Sequence, residues 1–282
     1  VDSDLVVQAP AVTDSALAAV AAAGRASSIE AIPRRSGATV VAWRLCGARA
    51  SPALQSACDA AGVDHAFVPR DRRWADLRVL AMDMDSTLIT IECIDEIAGH
   101  AGLKAEVSAV TASAMRGELD FSESLRRRVA LLAGLPVSAL DAVYRERLAL
   151  TPGAEVLLAA ARAAGARTLL VSGGFTYFTE RLRERLGLDE TASNTLEIVD
   201  GKLTGRVLGD IVDARGKAAA LARLRASLPA GLAVAIGDGA NDLAMMAEAD
   251  VSVAFHAKPA VRAQATHAID RGGLDAVLNL FA

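Results

Sequence analysis

Apolar positions at the start of the chain fall into short clusters punctuated by glycine, proline and charge. The clusters predict strands at Asp4–Gln8, Ser28–Ile32, Ala38–Leu45 and His65–Val68, with helices at Thr13–Ala23 and Ser51–Ala61. Thr13 or Asp14 can cap the first helix, and Ser51 before Pro52 the second. Gly24 and Gly62 stand where each helix should end. The order β-α-β-β-α-β is the split βαβ, or ferredoxin-like, plan. Arg70–Asp76 is charged around a lone Trp74 and is expected to be a linker. The expected units are therefore residues 1–70, a linker 71–76, and residues 77–282.

The longer part changes rhythm. Leu77–Met84 is an apolar run ending in carboxylates, and 93–150 holds several helices and no convincing strand. Beyond it come a strand Thr168–Ser172, a helix Phe175–Leu186, and a hairpin over Asn194–Val207 turning at Asp200-Gly201. Next are strand Leu232–Gly237, helix Asp242–Ala249, strand Val251–Phe255, a helix after Pro259, strand His267–Asp270 and a last helix Leu274–Phe281. Strands alternating with helices predict an α/β fold, a Rossmann-like parallel sheet covered on both faces. The block 93–150 is then a helical cap inserted over it.

Composition narrows the classes. Apolar residues make up 52% and charged residues 23%, which excludes disorder. A net charge of −4 argues against nucleic acid as a partner. The apolar run Ala16–Ala23 is far too short to cross a membrane, and no basic-then-apolar leader opens the sequence. Cys46, Cys58 and Cys93 form no CxxC pair and are expected as buried thiols in a reducing, cytoplasmic setting.

Four short motifs carry chemistry. Asp83-Met84-Asp85-Ser86-Thr87 places two carboxylates where an apolar strand ends, the ligand end of an open α/β sheet. Buried there unpaired they would be costly, so a cation or proton is implied. Gly237-Asp238-Gly239-Ala240-Asn241-Asp242 follows another apolar strand. It fails as a dinucleotide fingerprint, because Asp242 stands where the third glycine belongs. It suits a hard cation instead. Val171-Ser172-Gly173-Gly174-Phe175 offers a hydroxyl and free amides to an anion at an expected helix start. Taken alone it is equally a plain strand-to-helix turn. Gly216-Lys217 opens the expected helix Lys217–Leu224 and adds an ammonium. Together the four meet the needs of phosphoryl transfer to a carboxylate: cation, oxygen donors, nucleophile and acid. The histidines lack the spacing of metal ligands.

These motifs resemble the haloacid dehalogenase superfamily across about residues 77–282 and, within it, the phosphoserine phosphatases. Met82–Glu96, Ala114–Leu135, Val171–Phe175 and Gly237–Asp242 carry the resemblance. It implies Mg²⁺-dependent hydrolysis of O-phospho-L-serine through an aspartyl-phosphate, the last step of serine biosynthesis. Asp83 is then the nucleophile, and Asp85 the acid for the leaving alcohol and the base for water. Mg²⁺ sits on Asp83, the main-chain oxygen of Asp85, and Asp238, with Asp242 supporting the metal shell and Lys217. Ser172, the Gly173 amide, Lys217 and Asn241 hold the phosphate. In the cap the resemblance assigns Glu92 to the ammonium, Arg128 to the carboxylate, and Met115 and Phe121 to apolar walls. Of the consecutive Arg126, Arg127 and Arg128, helical geometry turns at most one or two inward.

Residues 1–70 resemble the amino-acid-sensing ACT domains in topology alone. Serine binding, homodimer formation and simple buttressing all remain open for them. Two rival functions stand beside the hydrolase. One is a phosphotransferase passing the group to another alcohol such as homoserine; the other is a non-catalytic amino-acid sensor.

Overall fold

The computed structural model describes residues 3–281. The N-terminal sheet comprises β1 (Ser3–Ala9), β2 (Ser28–Ile32), β3 (Val41–Cys46) and β4 (Asp64–Pro69), all antiparallel in the order β2-β3-β1-β4. Helices α1 (Asp14–Gly24) and α2 (Pro52–Ala61) cover one face. Thr13 and Ser51 cap them, accepting from the amides of Ala16 and Leu54. Through Val6, Ala66 and Val68 the other face joins the core of the large sheet beside Val277, Leu280 and Phe281. The expected linker is tied down as well. The Trp74 ring meets Phe281 edge-on at 4.9 Å, and its Nε1 donates to the Ala160 carbonyl.

The large sheet has seven strands: β5 (Leu77–Met82), β6 (Arg167–Phe175), β7 (Glu190–Val199), β8 (Lys202–Leu208), β9 (Leu232–Gly237), β10 (Val251–Phe255) and β11 (His267–Ile269). The order is β11-β10-β9-β5-β6-β7-β8, parallel except for the β7–β8 hairpin. Strand order reverses at β5, so the crevice of this sheet opens at the carboxyl ends of β5, β6 and β9. Residues alternate between two cores. Val79, Ala81, Leu169, Val171, Ala233 and Ala235 face α9 (Ala214–Ala226) and α10 (Leu243–Ala247). Leu80, Met82, Leu170, Val234 and Ile236 face the other side. There lie α7 (Ala154–Ala163), α8 (Thr176–Leu186) and the cap. The cap consists of α3 (Cys93–His100), α4 (Lys104–Met115), α5 (Phe121–Leu131), α6 (Val137–Ala142) and a last turn, Val143–Arg147. A short α11 (Pro259–Arg262) precedes β11.

Several expected boundaries move. Strand β3 begins at Val41 rather than Ala38, because Thr39 turns away to bond Asp275. Strand β6 runs on through both glycines to Phe175, which pairs with Asn194, so α8 starts only at Thr176. The anion cradle is therefore a strand end that leads straight into α8, with Phe175 at its N-cap. Helix α9 starts at Ala214, capped by Asp213, which places Lys217 at its fourth residue. The final helix is a tight 3-10 helix, Leu274–Leu280, with every residue buried.

Candidate active site

Asp83 follows β5 directly and is 5% exposed, its amide anchored on the Ile236 carbonyl of β9. The next residues form a turn, Met84–Leu88, in which Ser86 takes the left-handed conformation (φ 55°). That turn distributes three side chains. Asp85 Oδ1 accepts from the Cys93 amide at 3.0 Å. Ser86 donates to Glu92 Oε1 at 2.7 Å, and the fully buried Thr87 donates to Asp238 Oδ1 at 3.3 Å.

Lys217 lies beneath them, 1% exposed. Its Nζ donates to Asp83 Oδ1 at 2.5 Å and to Asp242 Oδ1 at 2.7 Å. Burial works against this ammonium, but the two carboxylates outweigh it and hold the lysine protonated. Asp242 Oδ2 accepts from the Gly239 amide at 3.0 Å. A β-carbon on Gly237 would sit 2.5 Å from the Asp242 side chain, so glycine is required for this approach.

Carboxylate oxygens of Asp83, Asp238 and Asp242 lie within 4.8 Å of one another. Negative charge exceeds what Lys217 balances. Burial pushes the Asp83 carboxyl up, opposed by Lys217 and reinforced by Asp242 and Asp85. Burial, then Asp242 and Glu92, raises Asp238 to about 6. An all-oxygen donor set with surplus negative charge fits a hard divalent cation. Asp85 is lifted to about 7 by burial and then by Glu92, against the Cys93 hydrogen bonds. That value suits a group that gives and takes a proton near neutrality.

Above the carboxylates is a cavity of about 120 Å³. Asp83, Asp85, Asp238, Asn241 and the Ser172–Phe175 segment line its lower part, while Glu92, Ile94, Phe121, Leu125 and Arg128 close it from the cap. Ser172 Oγ accepts from the Gly174 amide at 2.8 Å. Asn194 fixes the cradle from behind, donating to the Gly173 carbonyl and accepting from the Val212 amide, both at 2.8 Å. A β-carbon on Gly173 would lie 2.8 Å from the Phe121 ring, so the cap rests directly on this strand end.

Of the three consecutive arginines, Arg128 lines the cavity; Arg127 turns outward to Glu123. Burial lowers the Arg128 pKa, opposed by Asp95, Glu92 and Asp85. Met115 is not brought to the cavity. It ends α4 at 70% exposure. Lys217 touches Asp83 without lining the cavity wall. Ile94 and Leu125 were missed as walls, and Ser86, Thr87 and Asn194 as supports. For Ser86 and Thr87 the signal was adjacency to the paired aspartates, and for Asn194 there was none.

Residues 80–247 match the family model described as haloacid dehalogenase-like hydrolase. The chain is 56% identical over 217 residues to a phosphoserine phosphatase of Polaromonas, covering 74% of this chain and 92% of the relative. The chain belongs to the phosphoserine phosphatases of the haloacid dehalogenase-like hydrolases. Their activity is phosphoester hydrolysis. The probable phosphoserine phosphatase of Vibrio cholerae, solved unliganded, superposes with a TM-score of 0.86 at 39% identity, covering 98% of this chain and 85% of that one. A phosphoserine phosphatase solved as a phospho-aspartyl intermediate analogue covers 73% of this chain and 99% of its own at a TM-score of 0.68 and 38% identity. The expected α+β sheet, parallel sheet and helical insert are thus the family's architecture.

Proposed function

We propose that phosphoserine is hydrolysed in this cavity with Asp83 as nucleophile. A carboxylate oxygen of Asp83 attacks phosphorus and forms the acyl phosphate, while the bond from phosphorus to the serine oxygen breaks. Asp85 delivers its proton to that leaving oxygen. As a carboxylate, Asp85 then takes a proton from a water that attacks phosphorus, releasing phosphate and restoring Asp83. Ser172, the Gly173 amide, Asn241 and Lys217 hold the phosphoryl oxygens. The Lys217 ammonium also favours the ionised form of Asp83 against burial, and aims it.

Asp83, Asp238 and the main-chain oxygen of Asp85 would hold Mg²⁺, with Asp242 bracing Lys217 behind them. The bound ion would neutralise charge on the phosphoryl oxygens. In the cap, Glu92 faces the substrate ammonium and Arg128 its carboxylate, with Phe121 as an apolar wall. Met115 has no part in this arrangement. Residues 77–282 are the catalytic unit with its cap at 93–150, and residues 1–70 buttress it. All three cysteines are free, which supports a cytoplasmic setting.

One observation carries this reading: a single small cavity has acidic groups and an anion cradle at its base and opposite charges, Glu92 and Arg128, in its roof. The test is phosphate release from phosphoserine before and after chelation, then with Mg²⁺ restored. Activity is expected only with the ion; turnover that survives complete chelation overturns the metal assignment.

A further inference from the structure

One contact of the N-terminal region lies close to the root of the substrate cap. Thr39, just before β3, donates from its amide to Asp275 Oδ2 at 2.8 Å and from its hydroxyl to Asp275 Oδ1 at 2.5 Å. The same hydroxyl accepts from the Gly273 amide at 2.8 Å. Asp275 is 3% exposed and makes no ion pair among the described residues. Thr39 is thus the group that satisfies both oxygens of a buried carboxylate.

Asp275 in turn sits against the root of the cap. A β-carbon on Gly153 would overlap its carboxylate, and one on Gly273 would overlap the Pro152 carbonyl. The Leu274 amide donates to that carbonyl at 2.8 Å. Pro152 and Gly153 continue the second of the two segments joining cap to sheet. The two are zipped together: Thr90 N donates to Ala149 O, Thr151 N to Leu88 O, each at 3.0 Å, and Ile89 bridges Leu150. The first of them leads directly to Glu92. The other end of the cap is held separately, by Gly134 and Val137 amides on the β7–β8 hairpin.

We infer that Thr39 is a positioning residue for the reaction: through Asp275 it fixes the cap root and so the place of Glu92. The inference rests on the reading of Glu92 as the ammonium's partner. A buried carboxylate that loses one of its donors must shift toward another partner, and that shift frees the Gly153 backbone packed on it. No catalytic group touches Thr39, so the effect falls on substrate selection rather than on chemistry.

The test compares Thr39→Val, which keeps the shape and removes the hydroxyl, with Thr39→Ser, which restores it. Thr39→Ala serves if valine prevents folding. Phosphoserine kcat/KM is expected to fall about tenfold, mainly through KM, a fraction of the roughly hundredfold cost of a 1 Å misplacement. An aryl phosphate without an ammonium should change less than about twofold on the same argument. Hydrogen exchange should quicken in peptides covering 88–92 and 148–153 and stay unchanged in β5, and Thr39→Ser should keep both exchange and kcat/KM near wild type. Equal losses on both substrates, or exchange quickened throughout, overturn the inference and leave Thr39 a stability residue. Unchanged selectivity in the folded valine variant overturns it too. Glu92→Gln measured alongside separates the layers. If it leaves selectivity intact, the reading of Glu92 fails; if it lowers selectivity and Thr39→Val does not, the relay fails.

Discussion

Selectivity for the amino-acid end of the substrate is expected to reside in two side chains. Glu92 stands exposed at the start of α3, with Ser86 donating to one oxygen at 2.7 Å. Burial raises its pKa, so it gains from a cationic partner. Arg128 is half-buried in the same cavity, and its one described hydrogen bond is a long contact of 3.4 Å from Nε to the Ser124 carbonyl. Removing one partner of a desolvated charge pair costs about 2–5 kcal/mol. At about 1.4 kcal/mol per tenfold, that is roughly 30-fold to several thousandfold in kcat/KM for phosphoserine. Glu92→Gln should lie at the low end, since glutamine still accepts from Ser86, and Arg128→Ala higher, since the whole guanidinium is lost. An aryl phosphate, held by the cradle, Lys217 and the bound ion, should change much less. The assay is the ratio of kcat/KM on the two substrates in wild type and each variant. If both substrates fall in proportion, the pair shapes the fold or the metal site and the reasoning is refuted. If neither falls, the cap does not sense the amino-acid end.

Two further outcomes follow from packing and charge. Gly173→Ala puts a β-carbon 2.8 Å from Phe121, so the ring must move off this strand end. Overpacking of about 1–3 kcal/mol should lower phosphoserine turnover about tenfold or more, with partial recovery when Phe121→Leu is added. His267 is 9% exposed and accepts from Arg72 at 2.7 Å; burial, then Arg72, pushes its pKa down to about 4. In the unfolded chain the ring protonates near 6.5, so stability is full above that pH and lost as pH falls toward 4. The loss reaches about 3 kcal/mol. Urea titrations at both ends of this window should show a smaller loss in His267→Asn, and an undiminished loss would contradict the assignment.

The parts of this molecule legible in its sequence are those set by short-range pattern. Strand β5 and its carboxylates stood out because an apolar run ends abruptly in Asp83 and Asp85. The caps at Thr13 and Ser51 stood out because their chemistry is local. What escaped was set by distant neighbours. The glycines at 173 and 174 suggest a turn, yet the strand runs on to Phe175, which pairs with Asn194 of β7, while Phe121 and Asp85 leave no room for a β-carbon at these two positions. Ala38–Val40 has strand composition, but Asp275, far along the chain, draws Thr39 out of the sheet. Leu274–Leu280 is mostly apolar, with Asp275 and Asn279 buried among its residues, and such a pattern gives burial without distinguishing an α-helix from the tighter 3-10 form. Met115 illustrates the converse, since an apolar residue on a helix does not reveal whether the helix presents it to a cavity or to solvent.

The central claim is that the phosphoryl group passes through Asp83. Acid quenching during turnover of phosphoserine, followed by peptide mass mapping, tests it directly. The phosphoryl group should appear on the peptide containing Asp83, and both its formation and its hydrolysis should slow in Asp85→Asn. It should be absent, with turnover, in Asp83→Asn. A phosphorylated peptide elsewhere, or near-normal turnover by Asp83→Asn, would contradict the account.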